Sequence, residues 1–303
     1  MSVKHFLSLM DFSKDELNAL VKRAIELKKM HNAGENYAPL NNKTLGMIFD
    51  KSSTRTRVSF EVAMAHFGGH ALFLSPRDTQ LGRGEPIEDS AKVLSSMVDA
   101  LMVRTYEHST LVDFAAASSV PVINGLTDYL HPCQVLADMQ TFFECCGSIQ
   151  GKTVAWLGDG NNMCHSYIHA AMQFDFKLNI SCPENYAPNK EILKKAKNSV
   201  ELFVEPKKAV KDSSLIVTDV WASMGKENEQ KAREDIFYPF QVNQEIIDLA
   251  NDEVIFMHCL PAHRGNEVDS EVIDGPQSVV WEEAGNRLPV QKSILMWCLG
   301  TDV

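Results

Sequence analysis

Thr44-Leu-Gly-Met-Ile-Phe-Asp-Lys-Ser-Ser-Thr-Arg-Thr-Arg57 joins an apolar strand pattern to a charged helix start, and its reading decides the fold. Residues 44–49 read as a strand and residues 58–67 as a helix stopped by Gly68-Gly69. Ser53 to Arg57 therefore sit at a strand-to-helix turn, where the first N–H groups of the helix lack partners. Two hydroxyl types and two guanidinium groups there make an anion site suited to phosphate. A simple N-cap with two solvated arginines explains the Ser and Thr. It does not explain cations in a first turn, where the helix dipole disfavours them unless an anion lies between.

At 303 residues the chain is long for one core and suits two domains of about 150 residues each. Hydrophobic content of 45% and charged content of 23% are those of an ordinary globular protein. The net charge of −11 argues against nucleic acid and anionic membrane as partners, so a phosphate ligand has to be held by a local cluster of arginines. Seven cysteines, with Cys145-Cys146 adjacent and no C-x-x-C pair, form neither a disulfide framework nor a zinc spacing. Reduced thiols, no signal-peptide pattern and no 18-residue apolar run lead to the expectation of a cytoplasmic protein.

Outward from the opening stretch, strands and helices alternate. Ser13 to Glu16 form a capping-box sequence ahead of Leu17, Leu20, Val21, Ala24 and Leu27 at helical spacing. Strand 71–74, polar loop 76–86, helix 87–98, strand 100–103 ending in Arg104, helix 110–117 and strand 121–124 follow. A long helical pattern over 132–146 is halted by Gly147. The second half repeats the scheme with strands 153–157, 178–181, 201–204, 214–218 and 254–257, and a helix over 163–174. A polar segment, 223–234, reads as a mobile loop containing a helix, and the chain closes on a helix over 293–299. The expected fold class is α/β, with two domains, each an open parallel sheet flanked by helices (Rossmann-like), joined by long helices. The expected boundaries are a first domain over 1–131, a connecting helix over 132–146, a second domain over 147–285, and a C-terminal helix over 286–303 packing back on the first domain.

Open α/β sheets bind ligands beyond the carboxyl ends of their strands. The polar residues that pass this filter in the first half are Ser53 to Arg57, Arg104 and His131-Pro-Cys-Gln134. In the second half they are Asn161-Asn162, Asp219, Ser223-Met224-Gly225 and His258-Cys259-Leu260-Pro261. The first group is cationic and donor-rich; the second is polar, with one acid and one thiol. An anionic substrate on the first domain and an amino-bearing one on the second is the natural division. Gly158-Asp-Gly160 lacks the third glycine of a dinucleotide fingerprint, with Met163 in its place, and reads as a tight turn. A nicotinamide-dependent dehydrogenase on this sheet would have only Glu184 for the ribose. His165 and His169 lie one helical turn apart, but no third metal ligand is evident nearby, and packing or surface roles are favoured. Cys259 is either a buried apolar thiol or, at its strand end, a functional one. A non-catalytic phosphate-binding module would leave Asp219, Ser223 and Cys259 without a task.

Ser-Thr-Arg-Thr-Arg (53–57) after a strand, His-Pro-Cys-Gln (131–134), Asp-Val-Trp-Ala-Ser-Met-Gly (219–225) and His-Cys-Leu-Pro (258–261), in this order, span essentially the whole chain. Together they closely resemble the aspartate/ornithine carbamoyltransferase family. The first two motifs are shared across that family; the last two belong to its ornithine branch. Asp50 stands where relatives often have Glu, a conservative departure. The resemblance implies transfer of the carbamoyl group of carbamoyl phosphate to the δ-amine of L-ornithine, giving L-citrulline and phosphate in arginine metabolism. Putrescine or an acylated ornithine is the alternative acceptor. It implies a carbamoyl phosphate-binding domain over 1–131 and an ornithine-binding domain over 147–285. Carbamoyl phosphate would lie on Ser53, Thr54, Arg55, Thr56 and Arg57, with Gln80, Arg104 and Arg287. Arg104 and His131 would donate to its carbonyl oxygen, while Gln134 and the carbonyls of Cys259 and Leu260 hold its NH2. Ornithine would lie on Asn162, Asp219, Ser223 and Met224. Arg104, His131, Asp219 and Cys259 form the implied catalytic set, the last two positioning and deprotonating the amine. No metal or organic cofactor is implied, because carbamoyl phosphate is already activated. The implied assembly is a homotrimer or a multiple of trimers, with Gln80, on a loop that also carries Arg83, reaching the neighbour's site.

Overall fold

A computed structural model describes residues 3–75, 84–222 and 230–301. Gln80, Arg83, Ser223, Met224 and Gly225, all singled out above, lie outside the described residues. In chain order come α1 (Lys14–Asn32), β1 (Thr44–Phe49), α2 (Thr54–His66), β2 (His70–Leu74), α3 (Ile87–Ser95), β3 (Ala100–Arg104), α4 (His108–Ala117), β4 (Val122–Leu126) and α5 (Pro132–Cys146). Next are β5 (Thr153–Leu157), α6 (Asn162–Phe174), β6 (Lys177–Ser181), α7 (Lys190–Lys195), β7 (Val200–Phe203), α8 (Pro206–Ala209) and β8 (Leu215–Thr218). The chain ends with α9 (Gln230–Phe237), α10 (Gln244–Ile247), β9 (Ile255–His258), α11 (Ser270–Ile273) and α12 (Val280–Leu299).

The strands form two open, wholly parallel sheets, ordered β2-β1-β3-β4 and β7-β6-β5-β8-β9, which is the α/β class expected. Strands β3 and β4 are buried along their whole length, as a sheet covered on both faces requires, while the edge strand β2 is largely exposed. Chain order reverses at β1, which has β2 on one side and β3 on the other, and at β5, which lies between β6 and β8. Such reversals open the crevice in which ligands of α/β sheets bind. The registers place the key positions there: Phe49 pairs with Arg104, Leu157 with Thr218, and Thr218 with His258.

The chain separates into two compact units, Met1–Gln140 with Asn286–Val303, and Thr141–Gly285. In the first, Ile48, Leu101, Val103, Leu111, Phe114 and Val122 form a buried cluster between sheet and helices. In the second, Ala155, Leu157, Ile216, Phe256, Val242 and Val268 do the same. Among the described residues no helix is long and apolar enough to cross a membrane.

The largest departure from the sequence reading is α12. It has 20 residues and starts at Val280, ahead of both the helix pattern read over 293–299 and the C-terminal helix expected over 286–303, and it carries Pro289 inside it. Glu283, Asn286, Arg287, Gln291, Lys292 and Ser293 are all buried on it, so polar positions interrupt its buried face and blur the apolar stripe. Helix α3 ends at Ser95, short of the expected 98.

Gly160 owes its identity to a crossing chain. A Cβ there would lie 2.4 Å from Pro188 N and 2.5 Å from Tyr186 O, and its N–H donates to Tyr186 O at 2.9 Å. Gly160→Ala should push the 184–189 segment outward and lower stability by roughly 1–3 kcal/mol. Urea denaturation measures this; an unchanged midpoint would contradict the close approach.

Candidate active site

In the first unit the site grows from the N-terminus of α2. Ser53, in extended conformation, caps the helix by accepting the Thr56 N–H at 3.2 Å. Thr56 is buried, and its Oγ1 accepts from two guanidinium groups: Arg104 Nη1 at 3.5 Å and Arg287 Nη2 at 3.2 Å. Arg104, at the end of β3, also donates from Nε to Lys51 O at 3.1 Å. Arg287, on α12, donates from Nη1 to Gln134 Oε1 at 2.6 Å. That bond and the 2.9 Å donation from Gln134 Nε2 to Asp138 Oδ1 fix which way the amide faces. Lys51 is buried as well, paired with Asp128 at 3.1 Å and 5.1 Å from the Tyr106 ring centroid.

This concentration of cations acts on His131, at the start of α5. Burial, then Arg287, Arg104, Arg55 and Lys51, hold its imidazole well below the usual histidine range. At neutral pH it is therefore an uncharged ring able to donate one hydrogen bond. Burial pushes the neighbouring Cys133 thiol up to about 12, and its Sγ donates to Asn124 O at 3.3 Å. Cys133 is thus a packing thiol. Arg57 takes another direction from its neighbours: its Nε pairs with Glu61 at 2.8 Å and its guanidinium covers the Phe73 ring at 3.9 Å. Thr54 and Arg55 are exposed on the first turn.

In the second unit, β8 delivers Asp219 and β9 delivers Cys259. Asn161 caps α6, accepting Met163 N–H at 2.9 Å and Cys164 N–H at 3.2 Å. Its own amide donates to Asp219 Oδ2 at 2.8 Å. The other carboxylate oxygen accepts the Val220 N–H at 2.8 Å and the Cys259 thiol at 3.2 Å. Asn162, the residue expected in the site, begins α6 and is half-buried.

His258 braces this arrangement. Its backbone N–H donates to Glu283 Oε2 at 2.8 Å, and its Nδ1 accepts the Leu260 N–H at 2.9 Å. The hydrogen-bond network therefore assigns the ring proton to Nε2, which faces Glu267 Oε1 at 3.1 Å. Burial raises the Glu267 pKa, but the hydrogen bond and charge of His258 and the His263 N–H together hold it below the usual carboxylate range. Leu260 sits at φ +56°, a left-handed conformation costly for a branched residue, and the bond to His258 supports it.

Among the described residues, Asp219, His258 and Cys259 are the group whose potential metal-ligating atoms lie within 4.8 Å of one another. Both imidazole nitrogens already face protein partners. His165 Nε2 accepts the Asn189 N–H at 3.0 Å, a packing role. Three buried charged residues that tie these segments together escaped the sequence reading. Glu267 and Glu283 carry no local signal, being acids in polar segments. Arg233 is the third: it donates to Trp221 O, pairs with Asp159 and lies 4.5 Å from the Tyr186 ring centroid.

The chain is a doubly wound α/β protein with arginines gathered at a helix N-terminus in one unit and an acid–thiol pair in the other, and the comparisons place it among the carbamoyl-group transferases. Residues 4–144 match the family model described as "Aspartate/ornithine carbamoyltransferase, carbamoyl-P binding domain", and residues 150–298 match "Aspartate/ornithine carbamoyltransferase, Asp/Orn binding domain". The chain belongs to the aspartate/ornithine carbamoyltransferase family. It is 61% identical to the ornithine carbamoyltransferase of Hydrogenovibrio crunogenus over 99% of each chain. With the anabolic ornithine carbamoyltransferase of Pseudomonas aeruginosa it shares 59% identity over 97% of each. The ornithine carbamoyltransferase of Pyrococcus furiosus superposes with a TM-score of 0.95 at 48% identity, covering 99% of this chain and 98% of that one.

The depressed imidazole gives a pH prediction. A histidine whose folded pKa lies below its unfolded value contributes no penalty above about pH 6.5 and destabilises the fold increasingly as pH falls below it. Wild type should therefore lose more stability between about pH 7.5 and about pH 5.5 than His131→Gln does, because the glutamine cannot take up a proton. Urea denaturation at the two pH values tests this; equal losses would mean His131 is not held neutral.

Proposed function

We propose that this protein transfers the carbamoyl group of carbamoyl phosphate to the δ-amine of L-ornithine, giving L-citrulline and phosphate. The observation that carries the reading is the convergence of Arg104 and Arg287 on Thr56 at a helix N-terminus, with neutral His131 beside it. Family membership and relatives named ornithine carbamoyltransferase support it. We assign carbamoyl phosphate binding to the first domain, 1–131 with the C-terminal helix over 286–303, and ornithine binding to 147–285.

The phosphate group lies on Ser53, Thr54, Arg55 and Thr56, with Arg104 completing the clamp. Arg287 acts by holding Thr56 and Gln134. Arg57, with Glu61 and Phe73 as local partners, belongs to the rim. The δ-amine of ornithine resembles lysine, so its pKa is near ~10.4 and about one molecule in a thousand is neutral at about pH 7.4. The Asp219–Cys259 pair positions the amine and accepts its proton, since only the free lone pair can attack. That pair of electrons forms a C–N bond to the carbamoyl carbon, and the carbonyl electrons move onto oxygen. Arg104 and the neutral His131 N–H donate to this oxygen as its charge builds. Collapse re-forms the carbonyl and breaks the C–O bond; phosphate leaves with the bonding electrons and takes up the second proton of the attacking nitrogen, so that the urea product is neutral. Gln134 and the carbonyls of Cys259 and Leu260 hold the carbamoyl NH2. Asn162, Ser223 and Met224 hold the amino-acid end of ornithine. These steps rest on positioning and charge stabilisation by the chain's own groups.

The 59% identity to an enzyme named anabolic favours a place in arginine biosynthesis, and the seven free thiols suit a cytoplasmic setting. A citrulline assay with carbamoyl phosphate and ornithine, putrescine, N-acetylornithine, lysine and aspartate tests the reading. Ornithine should be preferred by orders of magnitude; preference for putrescine or N-acetylornithine would overturn it. In the same assay Cys259→Ala should raise the ornithine KM by about tenfold or more while moving the carbamoyl phosphate KM little. Equal losses for both substrates would make Cys259 structural.

The assembly we propose is a trimer with shared sites, Gln80 reaching the phosphate site of the neighbouring subunit. Arg55→Ala and Gln80→Ala enzymes, each inactive, would be unfolded and refolded together. Random mixing around a cyclic trimer leaves about one quarter of the interfaces with both side chains intact, so activity should reappear. Hybrids as inactive as their parents would exclude sharing.

A further inference from the structure

The turn after β5 is pinned from several sides. Strand β5 lies beside β8, with Leu157 opposite Thr218, so the residues that follow each strand emerge as neighbours. Thr218 Oγ1 donates to Leu157 O at 2.6 Å, Trp156 Nε1 to Asp159 O at 3.0 Å, and the Gly160 N–H to Tyr186 O at 2.9 Å. Asn161 is the residue this turn delivers. Its Oδ1 accepts the N–H groups of Met163 and Cys164, which only an oxygen can do, so its NH2 has to face Asp219. A carboxylate offers about four acceptor positions. Among the described residues three are taken on Asp219: Oδ1 receives the Val220 N–H and the Cys259 thiol, and Oδ2 receives Asn161 at 2.8 Å. One position, on Oδ2, is left.

We propose that Asn161 is a positioning residue for the amine. By filling one side of Asp219 Oδ2 it leaves a single acceptor position, and an amino group of ornithine docks there. The inference rests on the proposed function and adds a residue to it. A carboxylate free to turn would offer an incoming amine either oxygen in several directions. Held by three donors, Asp219 can turn only by breaking hydrogen bonds, so the amine meets Oδ2 from one direction. Attack on the carbamoyl carbon depends on such alignment, because a misdirected lone pair does not reach the carbon. Capping of α6 does not account for the residue. A cap needs only the side-chain oxygen, which serine or aspartate supplies as well. The amide NH2 is the part that capping leaves unused, and it is the part that meets Asp219. Asn162 was expected to touch ornithine itself, whereas Asn161 acts through the carboxylate.

The test uses two variants of the full-length protein that keep a capping oxygen and lose the donor, Asn161→Ser and Asn161→Asp. Both should unfold thermally close to wild type. In citrulline assays Asn161→Ser should raise the ornithine KM by about tenfold or more, while the carbamoyl phosphate KM moves by less than about twofold. Asn161→Asp sets a second carboxylate against Asp219 and should raise the ornithine KM further. In an Asp219→Ala background, Asn161→Ser should lower kcat/KM for ornithine by less than about twofold more, because its partner is gone. A merely structural role would not be relieved in that way. Losses that multiply in the double variant, equal losses for both substrates, or an unchanged ornithine KM overturn the role of Asn161. If Asn161→Asp fails to fold, Asn161→Ser and the double variant decide the matter. Citrulline formation by wild type with the same ornithine KM in Asn161→Ser removes the positioning role alone. A wild type that forms no citrulline removes the proposed function, and this inference with it.

Discussion

Two buried guanidinium groups meeting on one threonine hydroxyl is the arrangement on which the first unit depends. Arg104 and Arg287 both donate to Thr56 Oγ1, so like charges are held close by a shared neutral acceptor. Hydrogen bonds from charged donors are worth roughly 1.5–3 kcal/mol each, which helps offset the mutual repulsion. Further acceptors share the load: Lys51 O takes Arg104, and Gln134 Oε1 takes Arg287. The residual positive field is visible in its effect on His131, whose imidazole is held neutral by burial and four cations. A chain of net charge −11 thus concentrates positive charge around the start of α2.

The second unit uses the opposite device. Asp219 is held by Asn161, by its own following N–H and by Cys259, so its carboxylate is oriented from three sides. Behind it, His258 ties Glu267, Glu283 and the Leu260 N–H into one buried network. The network supports Leu260 in its left-handed conformation next to Cys259. His258 thus bonds at its backbone N–H and at both ring nitrogens.

Legibility in the sequence followed local period. The change from strand to helix around Ser53 was readable because Thr44–Phe49 is continuously apolar and α2 follows without a break. Strand ends carrying Arg104, Asp219 and Cys259 were readable for the same reason. Helix α12 was not, because its buried face is built of Asn286, Arg287, Gln291 and Lys292, and Arg287 could be placed only through family resemblance. Glu267, Glu283 and the Asp159–Arg233 pair join residues far apart in sequence with no shared pattern. Asn161 shows the finer limit: of two adjacent asparagines, the one that caps the helix and bonds Asp219 is set by backbone geometry.

The central claim is that the start of α2, with its two arginines, is a ready-made phosphate site. A crystal structure with carbamoyl phosphate bound tests it most directly. The account predicts the phosphate oxygens against the first N–H groups of α2, Arg55 and Arg104, and the carbonyl oxygen beside His131. The Thr56–Arg287 bond should stand where it stands without ligand. Phosphate bound elsewhere, or a site in which Arg104 and Arg287 leave Thr56 to reach it, would contradict the claim.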